Sequence, residues 1–265
     1  RISDGRMDGC LRTILCVYQE NEMEQEKYYL AYEERYKTVY EAGIDHWGHE
    51  TGDSVLNVYL AEWVKHYSLH GKMVIEFACG EGACGVILSR LGVKYTGVDI
   101  APAAVERARD ALRPYTDARV FPLDMVRHMP NDRYDAALDV MGLHMLVTDR
   151  DREKYLRHAC GCLKKGAPML FFRESFRTDA WEGRVETFEE WLRLTGEDYQ
   201  TPKMRSARGK NEGKEVSIPF IPCRPRSREG YIRELESSGF HVDLVREMEQ
   251  KRMCPSSVSV FTRKK

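Results

Sequence analysis

The chain has 265 residues, of which 42% are hydrophobic and 31% are charged, with 41 Lys and Arg residues against 42 Asp and Glu residues. This composition is typical of a globular protein and excludes the disordered, collagen-like and membrane-embedded classes. The formal net charge of -1 gives no general electrostatic reason to bind nucleic acid or an anionic membrane. Since the chain has no apolar run of ~18 residues and no secretory signal at its beginning, we expect a cytoplasmic protein without a membrane or nucleic acid partner.

The eight cysteines are scattered along the chain and form neither a CxxC pair nor a zinc-finger spacing. A chain of this length does not need disulfide bonds to stabilise its core. We therefore expect reduced thiols and no metal site. The chain begins at Arg1 rather than Met, so residues 1–22 are assigned no function and are expected to be disordered or additional to the native protein.

The first elements predicted in chain order are helices. A helical pattern rich in Tyr, Glu and Lys extends from Glu24 to Tyr67, with breaks at Gly43 and near Gly48. Residues 1–68 are therefore predicted to form an N-terminal helical cap.

Short apolar strands then alternate with helices. The predicted strands are Met73–Ala78, Tyr95–Ile100, Arg119–Leu123, Tyr134–Val140, Pro168–Arg173, His241–Arg246 and Ser257–Thr262. Seven strands with crossover helices predict an α/β fold with one doubly wound sheet, in a domain that spans residues 69–265.

The alternation stops between residues 176 and 226. Thr178–Leu194 has a helical pattern that carries Trp181 and Trp191, and a polar, basic stretch follows at Lys203–Lys214. An insertion at this point lies over the carboxyl ends of the strands, where open α/β sheets bind their ligands. We therefore predict a lid or substrate-shaping element over residues 176–226, and a surface insertion without function is the alternative.

A glycine-rich turn follows the first predicted strand. Gly80-x-Gly82-x-x-Gly85 fits the dinucleotide-binding fingerprint, in which glycines allow a tight turn and close approach of the backbone to a ligand. Asp99 ends the next strand, where a carboxylate can accept hydrogen bonds from both hydroxyls of a ribose. A nicotinamide dinucleotide and an adenosyl ligand both contain such a ribose, so these residues do not separate the two.

The charges around the turn do separate them. Glu76 and Glu81 would repel a pyrophosphate in a partly desolvated site, whereas they attract the ammonium and sulfonium groups of S-adenosylmethionine. Asp124, at the end of the third strand, is placed to accept a hydrogen bond from an adenine amino group while Met125 packs on the ring. The sequence therefore favours S-adenosylmethionine over NAD.

The ordered motifs resemble those of the class I S-adenosylmethionine-dependent methyltransferases, particularly the branch that acts on small molecules. The matching segments are Glu76-x-x-x-Gly80-x-Gly82, Gly97-Val98-Asp99-Ile100, Leu123-Asp124-Met125, Tyr134-Asp135, Leu143-His144-Met145-Leu146 and Leu163-Lys164-Lys165-Gly166-Ala167. The resemblance implies a Rossmann-like methyltransferase fold, whose mostly parallel sheet has the strand order 3-2-1-4-5-7-6 with strand seven antiparallel. It also implies that S-adenosylhomocysteine is the product.

The candidates for cofactor binding are Glu76, Ala78, Gly80, Gly82, Asp99, Ile100, Asp124, Met125 and Val140. Methyl transfer from a sulfonium is a one-step in-line displacement that needs no metal, so the protein mainly supplies proximity, alignment and a deprotonated acceptor. The catalytic candidates are His144 as a general base and Asp139 as a group that holds a cationic or hydroxylated substrate. Alternatively, His144 orients the loop or packs against the cofactor.

Substrate contacts are expected from Tyr36 and Trp47 in the helical cap and from Arg173 and Glu174 at the end of the fifth strand. Aromatic residues of such a cap are usually core packing, and the alternative is a roof that closes over cofactor and substrate. The insertion at residues 176–226 is expected to join that roof.

The expected function is methyl transfer to a small molecule. A macromolecular acceptor, either tRNA or a protein, is the alternative, with a docking patch of basic residues. Those residues are Arg205, Arg208, Lys210, Lys214, Arg224, Arg226 and Arg228. A catalytically silent adenosyl-binding module and an NAD-dependent oxidoreductase are the remaining alternatives, and the sequence identifies neither the acceptor nor the oligomeric state.

Overall fold

The computed structural model describes residues 28–207, 211–249 and 256–265. The predictions for residues 1–22, and for the beginning of the helical pattern at residues 24–27, lie outside these ranges. Among the helices of the described ranges, none is both long and apolar enough to cross a lipid bilayer.

Nine strands lie in the described residues. They are β1 (Met73–Phe77), β2 (Lys94–Asp99), β3 (Ala118–Pro122), β4 (Ala136–Val140), β5 (Pro168–Ser175), β6 (Lys203–Ser206), β7 (Glu215–Ile218), β8 (Phe240–Glu249) and β9 (Ser256–Lys264). Strands β6 and β7 form an antiparallel hairpin, and the other seven form one sheet in the order β3-β2-β1-β4-β5-β9-β8.

This order confirms the predicted doubly wound, mostly parallel sheet. Strands β1 to β5 pair in parallel, while β9 lies between β5 and β8 and is antiparallel to both. The carboxyl ends of β1 to β5 therefore meet at one edge of the sheet, where the connecting loops can share a ligand.

Seven α-helices flank the strands. They are α1 (Ala31–Glu41), α2 (Ser54–His66), α3 (Ala83–Arg90), α4 (Pro102–Leu112), α5 (Asp149–Cys162), α6 (Phe188–Thr195) and α7 (Arg228–Ser237), with 3-10 turns at Tyr28–Leu30 and Leu143–Met145. Asp53, Thr148, Thr187 and Ser227 each precede a helix and accept a backbone N–H from three residues further along. These short polar side chains satisfy amides that the first helical turn leaves unpaired.

Helices cover both faces of the sheet, so its strands are apolar on both sides. Successive side chains of a strand point to opposite faces, and neighbours in β5 consequently enter different cores. Phe171 packs in the core that contains Tyr155 of α5. Phe172 packs in the core that contains Trp63 of α2 and Ile87 of α3.

The helix predicted over Thr178–Leu194 is wrong in its first half. Helix α6 begins only after Thr187, whose hydroxyl accepts the amide N–H of Glu190 at 3.1 Å. Trp191 is buried in α6, whereas Trp181 is 55% exposed. The aromatic spacing before Thr187 therefore does not mark a buried helical face.

The β6–β7 hairpin of the insertion packs against the N-terminal segment. Val39 of α1 and Ile44 share a small apolar core with Val216 and Ile218 of β7. Two segments that are far apart in the sequence thus form one layer beside the sheet.

Candidate cofactor and active site

The turn between β1 and α3 exposes backbone at the carboxyl edge of the sheet. Ala78, Gly80 and Gly82 have positive φ values of 51°, 50° and 81°. A Cβ atom at Gly82 would lie 3.2 Å from the Cα atom of Ala108, so only glycine lets α3 start this close to α4. The predicted need for glycines in a tight turn is met at Gly80 and Gly82, while Ala78 adopts an unfavourable conformation.

Asp99 ends β2 directly beside this turn. Its Oδ2 atom accepts the amide N–H of Gly80 at 2.8 Å, and its Oδ1 atom accepts that of Ala101 at 2.9 Å. Burial raises the pKa of Asp99, and these amides oppose the rise. Each carboxylate oxygen can accept a second hydrogen bond, so Asp99 is fixed in a position to bind hydroxyls. Ile100, the next residue, is half-buried.

Helix α1 lies directly over the turn. The hydroxyl of Tyr36 faces Gly80. One helical turn later, the hydroxyl of Tyr40 donates to Glu81 Oε1 at 2.9 Å. Glu33, on the same helix, accepts an amide N–H at the start of α4. The N-terminal aromatic residues therefore cover the glycine turn.

Glu81 holds the loop that follows α1. Its Oε2 atom accepts the amides of Trp47 at 2.9 Å and Gly48 at 2.6 Å, and lies 2.9 Å from His46 Nδ1. Burial raises the pKa of Glu81, but His46 and the amides outweigh burial and bring the pKa below its usual value. The carboxylate of Glu81 thus binds groups of the protein, whereas the sequence predicted that it would attract the cofactor. The hydrogen bond from the Trp47 amide to Glu81 fixes the position of Trp47.

Glu76 points into the core beneath the turn. Its Oε2 atom accepts the hydroxyl of Tyr95 at 2.5 Å. Burial raises the pKa of Glu76 to about 8, with Tyr95 and Cys84 acting against it. A carboxyl group of this pKa is mostly neutral at pH 7. Glu76 therefore supports the turn from below and adds little negative charge to it.

Asp124 follows β3 and is the second acid along this edge. Its Oδ1 atom accepts the amide of Val126 at 2.9 Å, and its Oδ2 atom accepts the hydroxyl of Tyr29 at 3.2 Å. Met125 lies next to it and is half-buried. Since β2 and β3 are neighbours in the sheet, Asp99 and Asp124 stand at adjacent strand ends.

His144 and Glu174 form a buried pair at the ends of β4 and β5. Glu174 Oε2 accepts the amide N–H of His144 at 2.9 Å and lies 2.7 Å from His144 Nδ1. The amide nitrogen of Ser175 lies 3.2 Å from the same Nδ1, and the shorter contact, with a carboxylate, places the ring proton on Nδ1. His144 Nε2 and Glu174 Oε1 are buried without a hydrogen-bond partner among the described residues.

Cys223 joins this pair from the end of the insertion. The next residue, Arg224, donates its amide N–H to the carbonyl oxygen of His144 at 2.7 Å. Burial lowers the pKa of His144, but Cys223 and Glu174 outweigh burial, and the pKa lies well above its usual value. Burial alone would raise the pKa of the Cys223 thiol, but His144 outweighs burial and brings that pKa below its usual value. No motif in the sequence pointed to Cys223.

Asp139 supports the loop that carries His144. It is fully buried, with Oδ1 accepting the amide of Gly142 at 2.6 Å and Oδ2 accepting the hydroxyl of Tyr155 at 2.5 Å. Burial and the nearby Glu174 raise the pKa of Asp139 well above its usual value. Both oxygens have protein partners, so the structure gives Asp139 a supporting position. Val140, which follows it, is buried in the apolar core.

Arg173 is engaged by the protein rather than left open to a ligand. Its Nη1 atom lies 2.6 Å from Asp53 Oδ2, and its Nη2 atom lies 3.2 Å from Asp53 Oδ1. Arg173 has a φ of 59°, at the place where the register of β5 against β9 shifts. The bidentate pair joins the end of β5 to the start of α2.

The basic docking patch predicted for a macromolecule is wrong for two of its members. Arg224 is fully buried and Arg226 nearly so, and each lies 2.9 Å from a carboxylate oxygen of Asp149. Arg205, Lys214 and Arg228 are exposed. Arg208 and Lys210 lie outside the described residues. The two buried arginines hold the loop after β4 instead of facing a partner.

The residues at this edge fit an adenosyl cofactor with an amino-acid tail. Asp99, predicted to accept ribose hydroxyls, and Asp124, predicted to accept an adenine amino group, lie at adjacent strand ends. Tyr32 and Arg35 of α1 each have a buried polar atom without a hydrogen-bond partner among the described residues. Buried polar atoms are nearly always paired, so these two atoms are available to a ligand of matching chemistry.

Comparison with known proteins agrees with this assignment. Residues 74–166 match a family model described as a methyltransferase domain. The ribosomal protein L11 methyltransferase of Edwardsiella ictaluri (strain 93-146) is 28% identical over 164 residues, which cover 55% of this chain and 52% of that protein. The chain spans about half the length of the curated relatives it matches.

Solved structures share the fold. The 1,6-didemethyltoxoflavin-N1-methyltransferase of Burkholderia thailandensis, with bound S-adenosylhomocysteine, has a TM-score of 0.61 at 13% identity, covering 91% of this chain and 90% of that one. An S-adenosylmethionine-dependent methyltransferase of Clostridium acetobutylicum ATCC 824 has a TM-score of 0.58 at 13% identity, covering 97% and 99%. Residues 74–166 thus match a methyltransferase domain, and the sheet order and the acids beside the glycine turn support a class I methyltransferase that uses S-adenosylmethionine.

Proposed function

We propose that this chain transfers a methyl group from S-adenosylmethionine to a small-molecule acceptor. The observation that carries the proposal is the pairing of His144 with Glu174, which leaves His144 Nε2 buried and without a hydrogen-bond partner in the described residues. An imidazole nitrogen held in this way is suited to take a proton from an acceptor at the carboxyl edge of the sheet.

The cofactor supplies a methyl group activated by a sulfonium. When the His144 imidazole is neutral and Glu174 holds its ring proton at Nδ1, Nε2 carries the lone pair that receives the acceptor's proton. Arg152 fixes the same loop, because its Nη1 atom donates to the carbonyl oxygens of Leu143 at 2.8 Å and Leu146 at 2.9 Å. A base fixed in position in this way needs little reorganisation when the acceptor arrives.

The covered site supports a small acceptor. Tyr28, just before α1, donates to Asp151 Oδ2 at 2.7 Å, and the next residue, Tyr29, donates to Asp124. A cover attached at several points excludes water and hinders the approach of a folded partner. The Burkholderia thailandensis structure holds 1,6-didemethyltoxoflavin, a small molecule, together with S-adenosylhomocysteine.

A protein acceptor is the second candidate, because the curated relatives are named for methylation of ribosomal protein L11. Against it stands the burial of Arg224 and Arg226, which removes two residues from the basic surface that a macromolecule would use. The half of those relatives that this chain does not match also weakens the parallel.

Separating candidate acceptors by size tests the proposal. The purified chain is incubated with S-adenosylmethionine labelled in its methyl group and with a cell extract that ultrafiltration has divided into small-molecule and macromolecular fractions. We expect label in the small-molecule fraction, and its loss in a His144→Gln variant that still binds S-adenosylhomocysteine. Label that enters only the macromolecular fraction would contradict a small acceptor.

A further inference from the structure

Arg35 of α1 is a half-buried arginine that has no acidic partner in the part of the chain that the structure describes. Its Nε atom is buried and makes no hydrogen bond to a described residue. The guanidinium faces Trp47, with its Cζ atom 5.9 Å from the ring centroid. An aromatic ring stabilises a cation only in part, so the guanidinium remains suited to an anion.

Four other arginines of the described interior are paired. Arg152, Arg173, Arg224 and Arg226 each lie between 2.6 and 2.9 Å from a carboxylate oxygen. Pairing is the normal state of an arginine removed from water, because an uncompensated charge there is costly. Arg35 departs from this pattern, and it does so beside the glycine turn.

Tyr32 supplies a second unused donor at the same place. It lies one helical turn before Tyr36, and therefore on the same face of α1. Its hydroxyl is buried without a hydrogen-bond partner among the described residues. Burial raises the pKa of the Tyr32 phenol, Arg35 opposes the rise, and Cys223 and Asp99 add to it, so the guanidinium of Arg35 acts on this hydroxyl.

The acids nearby are already occupied. Asp99 accepts the amides of Gly80 and Ala101, and Glu81 accepts those of the loop after α1. Arg35 can only donate, and the Tyr32 hydroxyl can donate as well, so a single acceptor carried by a ligand would satisfy both. A carboxylate accepts from a guanidinium and a phenol at once, and the charge-assisted bond to the guanidinium is the stronger.

We propose that Arg35 and Tyr32 bind the carboxylate of the methionyl tail of S-adenosylmethionine. The assignment rests on the proposed function, because it requires this cofactor at the glycine turn. The cofactor has one carboxylate, which the acids along the turn would repel, whereas Arg35 and Tyr32 offer it donors without a partner among the described residues. The pair would thereby distinguish the complete cofactor from adenosyl compounds that lack the carboxylate.

The test compares S-adenosylmethionine with its decarboxylated form, which keeps the sulfonium and the ammonium and lacks only the carboxylate. Calorimetry measures both affinities in the wild-type chain and in Arg35→Met, which keeps the length of the side chain and removes its donors. We expect Arg35→Met to weaken binding of S-adenosylmethionine by about tenfold or more, the usual scale for a charge-assisted hydrogen bond. Binding of the decarboxylated form should change by less than about twofold, because the deleted donors have no partner in that ligand.

Arg107→Met is the matched control. Arg107 is an exposed arginine of α4 whose Cζ atom lies 4.6 Å from the centroid of the Tyr40 ring, so it lies near the same cover. Its replacement should leave both affinities unchanged. Tyr32→Phe should lower the affinity for S-adenosylmethionine less than Arg35→Met does, and Arg35→Lys, which keeps the charge, should restore part of it.

An equal loss for both ligands in Arg35→Met would overturn the assignment, since the guanidinium would then act on something other than the carboxylate. Unchanged affinity for S-adenosylmethionine would also overturn it, and a simultaneous fall in transfer rate would assign Arg35 to a carboxylate of the acceptor. A wild-type chain that binds neither adenosyl ligand would refute the proposed function itself and this assignment with it.

Discussion

A side chain added at Gly80 would bring its Cβ atom within 2.9 Å of the hydroxyl oxygen of Tyr36. The glycine turn and α1 are thus fitted to each other with no room for a methyl group. Gly80 also donates its amide N–H to Asp99 at 2.8 Å. A displacement at Gly80 would therefore reach Asp99, the acid predicted to bind the ribose.

Gly80→Ala should weaken both folding and cofactor binding. Gly80 has a φ of 50°, a region that costs an L-residue with a side chain about 1 to 2 kcal/mol. The new methyl group must also displace Tyr36 from the turn. We expect the affinity for S-adenosylhomocysteine, measured by calorimetry, to fall by about tenfold or more, which corresponds to ~1.4 kcal/mol.

Gly166→Ala provides the control for this prediction. Gly166 also has a positive φ, of 73°, but no other described residue lies within 4 Å of its Cβ position. It should lose stability in chemical denaturation and keep its affinity for S-adenosylhomocysteine. Tyr36→Phe should restore some affinity to Gly80→Ala, and equal affinity in both alanine variants would show that Tyr36 moves aside without consequence.

Asp99→Ala should reduce the affinity for S-adenosylhomocysteine by between about tenfold and a hundredfold, since hydrogen bonds to a charged group contribute about 1.5 to 3 kcal/mol. Asp99 is fixed by two amides before any ligand arrives, so its position does not depend on the cofactor. Asp110→Ala, on the exposed side of α4, is the control and should bind normally. Normal binding by Asp99→Ala would exclude Asp99 from the site.

His144 should titrate above the usual range of histidine. Burial acts against its charged form, but Cys223 and Glu174 outweigh burial and raise the pKa. Cys223→Ser removes the thiol group that raises the His144 pKa and should therefore lower that pKa, as followed by NMR of the ring with His144→Gln for assignment. Since a base acts in its deprotonated form, methyl transfer should rise as the pH rises through this pKa, and the rise should begin at lower pH in Cys223→Ser. An identical titration in both proteins would contradict the coupling.

Because of Asp149, the free energy of unfolding should depend on pH in the acidic range. Burial raises its pKa, but the Val185 amide and the buried Arg224 and Arg226 outweigh burial and bring the pKa below its usual value. The stabilisation is present above the unfolded pKa of about 3.9 and is lost as the pH falls through the lower folded pKa. Asp149→Asn should cost about 3 kcal/mol at neutral pH, the range for breaking a buried pair, and the difference from wild type should shrink in acid.

Urea denaturation at several pH values measures this effect. Glu153→Gln is the control, because Glu153 pairs with Arg184 on the exposed surface and should contribute less than about 1 kcal/mol. A loss of stability in Asp149→Asn that stays constant from neutral to acid pH would contradict the sign of the pKa shift.

The sheet was predictable from sequence because its strands are short apolar runs separated by turns and helices. Met73–Phe77 and Pro168–Ser175 lie within two residues of the predicted bounds. The β6–β7 hairpin was missed because its strands have only four residues each, and those of β6 are mostly exposed. Trp181 shows that aromatic spacing alone does not make a helix when no buried face supports it.

The positions of the candidate site residues in the fold were predictable from sequence, but the partners that their side chains meet were not. Asp99 and Asp124 were expected from the ends of their strands, and the structure places both there. Glu81 could not be assigned from its charge, because its partners come from a loop far back in the chain. Cys223 was missed for the same reason, since a contact with His144 across the fold leaves no local pattern. Charge in a sequence indicates what a residue can bind, and only the fold decides which partner it meets.

The apolar contact between α1 and the hairpin has a kinetic consequence. Val39 and Ile218 are almost completely buried in it, although neither touches the glycine turn. Any opening of the cover that separates these two segments must expose that apolar surface to water, which adds to the barrier for ligand exchange. We therefore expect the residence time of the bound cofactor to depend partly on this apolar contact, and a smaller residue at Ile218 should shorten that time while the chemistry of the site stays the same.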